Sequence, residues 1–585
     1  MKKPIKNLSQ AELKVKKEII ELLKTALGKD FRPKLISIEY PPESKLGDFV
    51  LPCFLLAKKL KKSPAEVAQS LASQITGKEF IDKIIAAGPY LNFFVNQQKF
   101  STLVLTEIAK AKSHFGSSKN GRGKKVMVEY FSPNTNKPLT IGHIRNIFLG
   151  QSITRILKFV GYKVIQSTLY NNRGIAIAKT ILCYQKWGED KTPKSAGLKP
   201  DHFVGSFYVK FCSQAKDNPA LDNEAKLVLQ AWENDQKEVI EVWQQLMSWV
   251  LEGFKQTLAA LGAEKFDEEY YENEFYTKGK EVVENGLKQG VFIKDKDGVI
   301  YTPLEKFGLA DKIVLRPDDT SLYITQDLYL AYLKDRYQLD SSIYVVGSEQ
   351  DLYFKQLFKI LELLGFKNIE NYFHLSYGMI RLPSGKIKSR EGLIPGTGAD
   401  DLLAELKDLA ITEIKNRSKD LSEEEINKRA EKISLAALRY YILMVSPKTT
   451  MIFEPKKSVA FTGKTGPYLQ YVAARINSIF EKEKVKVNHK KVDYSLLSDP
   501  LEFELIKLSS RLPKIIVESV KSLDPSILAN YLFELAKAFS LFYEKVPVLA
   551  AEEKVKQLRL LIIHDVRIVL TVGLELFGMP LVEKM

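Results

Sequence analysis

From residue 126 the chain runs through VMVEYF, a turn holding two prolines, the stretch IGHIRNIFLGQSITRILKFVG and then KVIQSTLY. An apolar run of strand length, a long helical run and a second strand make a βαβ unit, the crossover that a parallel strand pair requires. The unit commits this part of the chain to a doubly wound parallel sheet with helices on both faces. In that architecture the carboxyl ends of the strands and the first helix N-terminus form an anion site, because unpaired N–H groups and the helix dipole converge there. The turn SPNTNKPLTIGH puts Pro133 and Pro138 before the helix and Gly142-His143 at its mouth. Gly142 lets a ligand approach the backbone, and the His143 ring can donate an N–H to a phosphate oxygen. The alternative is a histidine that merely caps a surface turn. There is no GxGxxG, and the GKT at 463–465 lacks the earlier glycine of a Walker loop.

The rest of the chain divides around this unit. At 585 residues it exceeds a single core, so about two to four domains are expected. Residues 1–115 read as an α+β module closing on PYLNFFVN, followed by the loop GSSKNGRGKK. A Rossmann-like catalytic domain then spans 116–400, with an insertion at about 175–290 that reads as long helices without a strand signal. Strands return with KIVLRP, SLYIT and SIYVVG. Residues 401–454 read as a helical connector and 455–585 as an all-α bundle. The fold class is therefore multidomain α/β.

Charge and cysteine content narrow the partners. The balance of 87 Lys+Arg against 71 Asp+Glu, a net of +16, favours a polyanion. Cys53, Cys183 and Cys212 share no metal-ligand spacing and make no disulfide framework, so a reducing compartment is expected. The start lacks an apolar signal core, and the most apolar stretch, LRLLIIHDVRIVLTVGLELFG, is broken by His564, Asp565, Arg567 and Glu575. That is a buried helix rather than a membrane span, and a cytoplasmic location is expected.

Thr140-Ile141-Gly142-His143, behind a strand and a proline turn, resembles the first signature of class I aminoacyl-tRNA synthetases, with Thr in place of the first His. The loop SGKIKSREGLIPG (384–396), behind HLSYGMIRL, resembles the second signature. EYFSPNTNKP, LYITQDL, YVVGSEQDLYFKQ, GPYLQYVAARINSI and the terminal GLELFGMPLVEKM are similar to arginyl-tRNA synthetases specifically. LGDFVLPCFLLAKKL and YLNFFVN resemble that family's N-terminal domain, so the likeness covers nearly the whole chain.

The resemblance implies activation of L-arginine by ATP to arginyl-adenylate, with Mg²⁺ sharing phosphate charge, and transfer to the 3′ end of tRNA(Arg). By the same likeness Lys137, Thr140, Gly142, His143 and Lys386 hold ATP, and Lys386, Lys388 and Arg390 face the departing pyrophosphate. Glu129 and Asp327 take the guanidinium, Tyr323 adds its hydroxyl, and Asn134 and Gln350 hold the α-amino end. The chemistry agrees, since a planar guanidinium with five donors calls for carboxylates and a neutral acceptor. Tyr323 and Asp327 are four apart, the spacing of one helical face. Glu129 stands in an otherwise apolar strand, where a carboxylate serves a ligand or pairs with a Lys or Arg. Tyr90 and Asn92 are implied at the tRNA elbow, and Tyr468, Gln470, Tyr471 and Arg475 at the anticodon, beside an apolar stripe of Leu469, Val472, Ala473 and Ile476. A monomer without a protein-held metal is expected. Two rivals remain: the cysteine enzyme of the same class, which needs a zinc-holding Cys/His cluster that this sequence lacks, and a non-catalytic RNA-binding relative.

Overall fold

The computed structural model describes residues 8–317, 322–383, 398–418, 420–483, 489 and 492–582. The chain opens with helix α1 (Gln10–Leu27), capped by the Ser9 hydroxyl on the Glu12 amide at 3.3 Å. Strands β1 (Phe49–Pro52), β2 (Ile81–Ala87) and β3 (Tyr90–Val95) form an antiparallel sheet in the order β1-β3-β2, and α2 (Gln97–Ala111) comes next.

β4 (Lys125–Glu129), α3 (Ile141–Phe159) and β5 (Lys163–Tyr170) are the expected strand–helix–strand unit. Three helices (Ile175–Trp187, Pro200–Asp217, Ala220–Glu233) and α4 (Lys237–Ala260) then lead to β6 (Glu268–Tyr271). β6 corrects the strand-free reading of 175–290, because it pairs in parallel with β5 at the edge of the central sheet. Its sequence, EEYY, is polar because an edge strand covers only one side.

β7 (Ile293–Lys294), β8 (Ile300–Thr302) and β9 (Lys312–Leu315) form a separate antiparallel sheet, so KIVL lies outside the central one. SLYIT, expected as a strand, instead leads into α5 (Tyr323–Asp335), and the Thr325 hydroxyl accepts the Leu322 amide at 3.0 Å to start that helix. β10 (Ser341–Gly347), α6 (Asp351–Leu363) and β11 (Tyr372–Tyr377) complete the sheet, whose order is β11-β10-β4-β5-β6 and whose pairings are all parallel.

β12 (Ile380–Arg381) pairs with β13 (Met451–Ile452) around the helices α7 (Ala399–Arg417) and α8 (Glu423–Leu443). The remainder is helical and includes α9 (Gly466–Glu483), α10 (Ser526–Lys545) and α11 (Glu553–Leu576). Among the described residues no helix is long and apolar enough to cross a membrane.

These parts are not separate beads. One apolar cluster runs from Ala11 through α3 to Met579. The N-terminal module docks on the C-terminal helices through Lys507 and Asp48, 3.1 Å apart and both buried, and through Phe100 against Phe503. α3 is buried on nearly all sides, and Gly150 in it is required, since a Cβ there would meet the Tyr130 ring at 2.3 Å.

Two fully buried guanidiniums join the halves. Arg145 on α3 donates to the carbonyls of Gly378 at 2.7 Å, Thr449 at 2.9 Å and Pro447 at 3.0 Å. Arg439 on α8 donates to Leu261, Phe577 and Gly262 carbonyls and lies 4.4 Å over the Phe148 ring. Burial pulls Arg145 down to about 10, so it stays charged at neutral pH.

Replacing Arg145 by Met is expected to orphan those carbonyls and to destabilise the fold by at least about 3 kcal/mol. Lys keeps the charge but cannot fork to both segments, so it should rescue little. Thermal unfolding midpoints of the two variants check this, and an R145K protein as stable as wild type would contradict it.

Candidate active site

The chain leaves β4 toward β5 on one side and returns to β10 on the other, so the crevice at the carboxyl ends of β4 and β10 is the topological switch point, where ligands bind in open parallel sheets. The turn after β4 is held out of its ordinary conformation. Phe131 has φ +62°, unusual for a bulky residue. Its amide donates to Asn146 Oδ1 at 2.5 Å, and its ring stacks on Phe266. Asn146 also donates to the β10 carbonyl of Val345 at 2.6 Å, bridging the two strands at the crevice. The strained turn carries Asn134 across the strand ends, where it bridges to Asn171 and is exposed. Gln350, also exposed, stands just beyond β10.

The helix mouth gathers hydrogen-bond donors. His143 Nδ1 accepts the Thr140 amide at 3.0 Å, which leaves the ring proton on Nε2. Burial, then the nearby Lys137, hold this imidazole down at about 4, so it is a neutral N–H donor at physiological pH. A Cβ at Gly142 would touch only the Thr140 hydroxyl at 3.5 Å, so the approach to the backbone there is open. Thr140 bridges to Gly398, and the Ala399 amide donates to Leu139 at 2.9 Å, so the chain re-emerging from the second-signature segment is tied to the first signature. Lys386, Lys388 and Arg390 lie outside the described residues.

The opposite end is acidic. Asp327 on α5 accepts from the Tyr353 hydroxyl, and burial followed by Glu129 raises it to about 6 against the pull of Tyr353 and Lys334. Tyr323 is 73% exposed one turn earlier. Glu129 differs from expectation: its carboxylate is buried and paired with Lys334, so it presents no unpaired oxygen pair to a guanidinium. The carboxylate that sequence reasoning missed is Glu272, buried just after β6. Burial raises it to about 7, with Asp327 adding to the push and Arg173 and Gln326 opposing it. Its only sequence signal was an acid at a strand end, and that strand was itself not recognised. Arg173, in a stretch given no role from sequence, pairs with Glu233 and lies 4.0 Å over the Tyr276 ring.

The residues implied for RNA separate into two kinds. Tyr90 is 41% exposed and edges onto the exposed Phe54, whereas Asn92 on the same strand is buried. In α9, Arg475 is exposed and lies 4.5 Å over Tyr543 and 5.6 Å over Tyr471, an aromatic–guanidinium platform that the sequence showed only in part. Tyr468 is half-buried and bonds Ser540 at 2.9 Å. Gln470 is corrected: it is fully buried, and its amide donates to Pro580 at 2.6 Å and to Lys432, clamping the C-terminal segment rather than meeting a base.

Comparison with known proteins agrees in class and then in family. A family model described as tRNA synthetases class I (R), catalytic domain, matches residues 104–454. An arginyl tRNA synthetase N-terminal domain matches 13–95, and a DALR anticodon binding domain matches 469–585. Arginine–tRNA ligase of Treponema denticola is 42% identical over 94% of this chain and 95% of its own, and that of Borrelia duttonii is 38% identical over 98% of each. The arginyl-tRNA synthetase structure of Thermus thermophilus superposes with a TM-score of 0.81 at 25% identity, over 97% of this chain and 100% of that one. The chain belongs to the arginyl-tRNA synthetases, a family of ATP-using aminoacyl-tRNA ligases.

The site's protonation states predict two outcomes. A cation that binds Asp327 and Glu272 competes with protons, so the arginine KM should fall as pH rises from 5.5 to 8, through the raised carboxylate values of about 6 and 7. An arginine KM independent of pH would contradict the site. His143→Ala should slow adenylate formation roughly 10²-fold, while His143→Asn, which keeps a neutral N–H, should retain part of it. Pyrophosphate exchange rates of the two variants separate these cases.

Proposed function

We propose that this arginine–tRNA ligase binds the arginine guanidinium between Asp327, Glu272 and the Tyr323 hydroxyl, with its α-amino end toward Asn134 and Gln350. The carrying observation is the pair of buried carboxylates, Asp327 on α5 and Glu272 after β6, raised by burial and, for Glu272, by Asp327, as befits a site built for a cation. The triphosphate of ATP lies against the α3 N-terminus, with the His143 Nε2–H, Thr140 and Lys137 beside it and the open backbone of Gly142 beneath. The arginine carboxylate then attacks the α-phosphate in line, and the terminal ribose hydroxyl of tRNA(Arg) takes the arginyl group from the adenylate. Neither step needs a protein nucleophile; placement and N–H donors at the phosphate lower the barrier.

The groups around Gly142-His143 are N–H donors and a cation rather than a carboxylate set, so they fit Mg²⁺ only as a passenger on ATP, which supplies charge neutralisation when bound. Lysine would leave one carboxylate and the hydroxyl unpaired, a mismatch that can discriminate by roughly 10⁴-fold. Tyr90 with Phe54, and Arg475 with Tyr471 and Tyr543, offer stacking faces for unpaired tRNA bases. Three thiols without disulfides agree with action in the cytoplasm.

Asp327→Asn and Glu272→Gln should each lower kcat/KM for arginine by on the order of 10²-fold in tRNA-supported pyrophosphate exchange, with the ATP KM little changed. Wild-type arginine kinetics in both would refute the pocket. Arg475→Ala should weaken charging of the cognate tRNA more than that of an anticodon-swapped one, and equal small losses on both would place anticodon reading elsewhere.

A further inference from the structure

We propose that Lys334 is a positioning residue for arginine recognition: its buried ammonium is the fixed counter-charge of Glu129, and so leaves Asp327 and Glu272 to the guanidinium. The inference rests on the pocket proposed for arginine.

Lys334 lies seven residues after Asp327 on α5, two turns along the same helix face. It is 2% exposed, its ammonium is paired with Glu129, and it stands 4.6 Å from the Tyr344 ring centroid and 5.9 Å from that of Tyr270. Burial opposes its charge, yet Glu129 and Tyr344 outweigh that and hold it above its ordinary value, so it is charged at every working pH.

The need for such a cation comes from the charges. Three carboxylates, Glu129 from β4, Asp327 from α5 and Glu272 from the segment after β6, converge on a region of low polarity. Asp327 also faces the Tyr353 hydroxyl from α6 and Tyr344 from β10; Glu272 faces Arg173, which is itself paired with Glu233. Without Lys334, an uncompensated Glu129 would drive Asp327 to take up a proton, and a protonated Asp327 offers a guanidinium one acceptor fewer. A buried ion pair adds little to folding beyond what an apolar pair would, so stability alone does not account for Lys334–Glu129.

The experiment uses the full-length enzyme with tRNA and measures kcat/KM for arginine and for ATP between pH 5.5 and 8.5, in Lys334→Gln and Lys334→Arg. Gln can still donate an N–H to Glu129 but carries no charge. For K334Q, the rise of arginine kcat/KM with pH should move upward by about one unit, giving roughly a twofold loss at pH 7 that widens toward tenfold at pH 5.5 and vanishes toward pH 8.5, with the ATP KM within about twofold. K334R should behave as wild type. A K334Q loss that is uniform across pH, or a lowered melting temperature with unshifted arginine kinetics, would make Lys334 a structural brace and overturn the inference. If K334Q does not fold, a K334R profile displaced like that expected of K334Q overturns it equally. Asp327→Asn run alongside separates the two readings: if it keeps wild-type arginine kinetics the pocket itself fails, whereas if it loses arginine while K334Q tracks wild type, only the role of Lys334 fails.

Discussion

A buried guanidinium clasped by main-chain carbonyls holds the catalytic sheet to the helices C-terminal to it. Arg145 projects from the helix opened by Gly142-His143, and its acceptors come from two distant segments, Gly378–Met379 and Ser446–Thr449. Carbonyls on turns cannot rearrange as side chains do, so a planar fork that satisfies several at once fixes the relative position of all three segments. Arg439 repeats the device between α8, the end of α4 and the C-terminal segment. The helix mouth is therefore placed by contacts on its flank, while its own first turn stays open for a ligand.

The site uses opposite electrostatics at its two ends. At the helix mouth the protein offers dipoles and an imidazole that burial, then Lys137, hold neutral, so the donor keeps its state across the physiological pH range. At the other end it gathers carboxylates that disfavour one another's charge. The first arrangement suits incoming negative charge, and the second suits a cation.

Much of this was legible in sequence where one physical rule dominated. β4, apolar because both sheet faces are covered, and the glycine-opened helix behind it come directly from pattern. What failed did so where context overrides pattern. EEYY does not read as a strand because β6 is an edge, and with it went Glu272. SLYIT has strand-like residues, but the Thr325 hydroxyl nucleates a helix. Glu129 was seen as anomalous, yet its partner Lys334 lies 205 residues away and no local spacing reveals it. Gln470 looked like a base reader beside two tyrosines, and only the fold shows the Pro580 carbonyl that claims it.

The Arg145 contacts also set an order of events during synthesis. The strand–helix–strand unit has left the ribosome by residue 170, but the carbonyls that clasp its buried cation come as much as 304 residues after Arg145, and the backbone tie at Thr140 waits for Gly398. Until then the guanidinium has only water to solvate it, and the helix mouth lacks its far-side support. Contacts of such sequence separation form late and slowly. The growing chain thus carries the strand–helix–strand unit long before its helix mouth can hold its shape, an interval in which its apolar helix faces are exposed to aggregation or to chaperones.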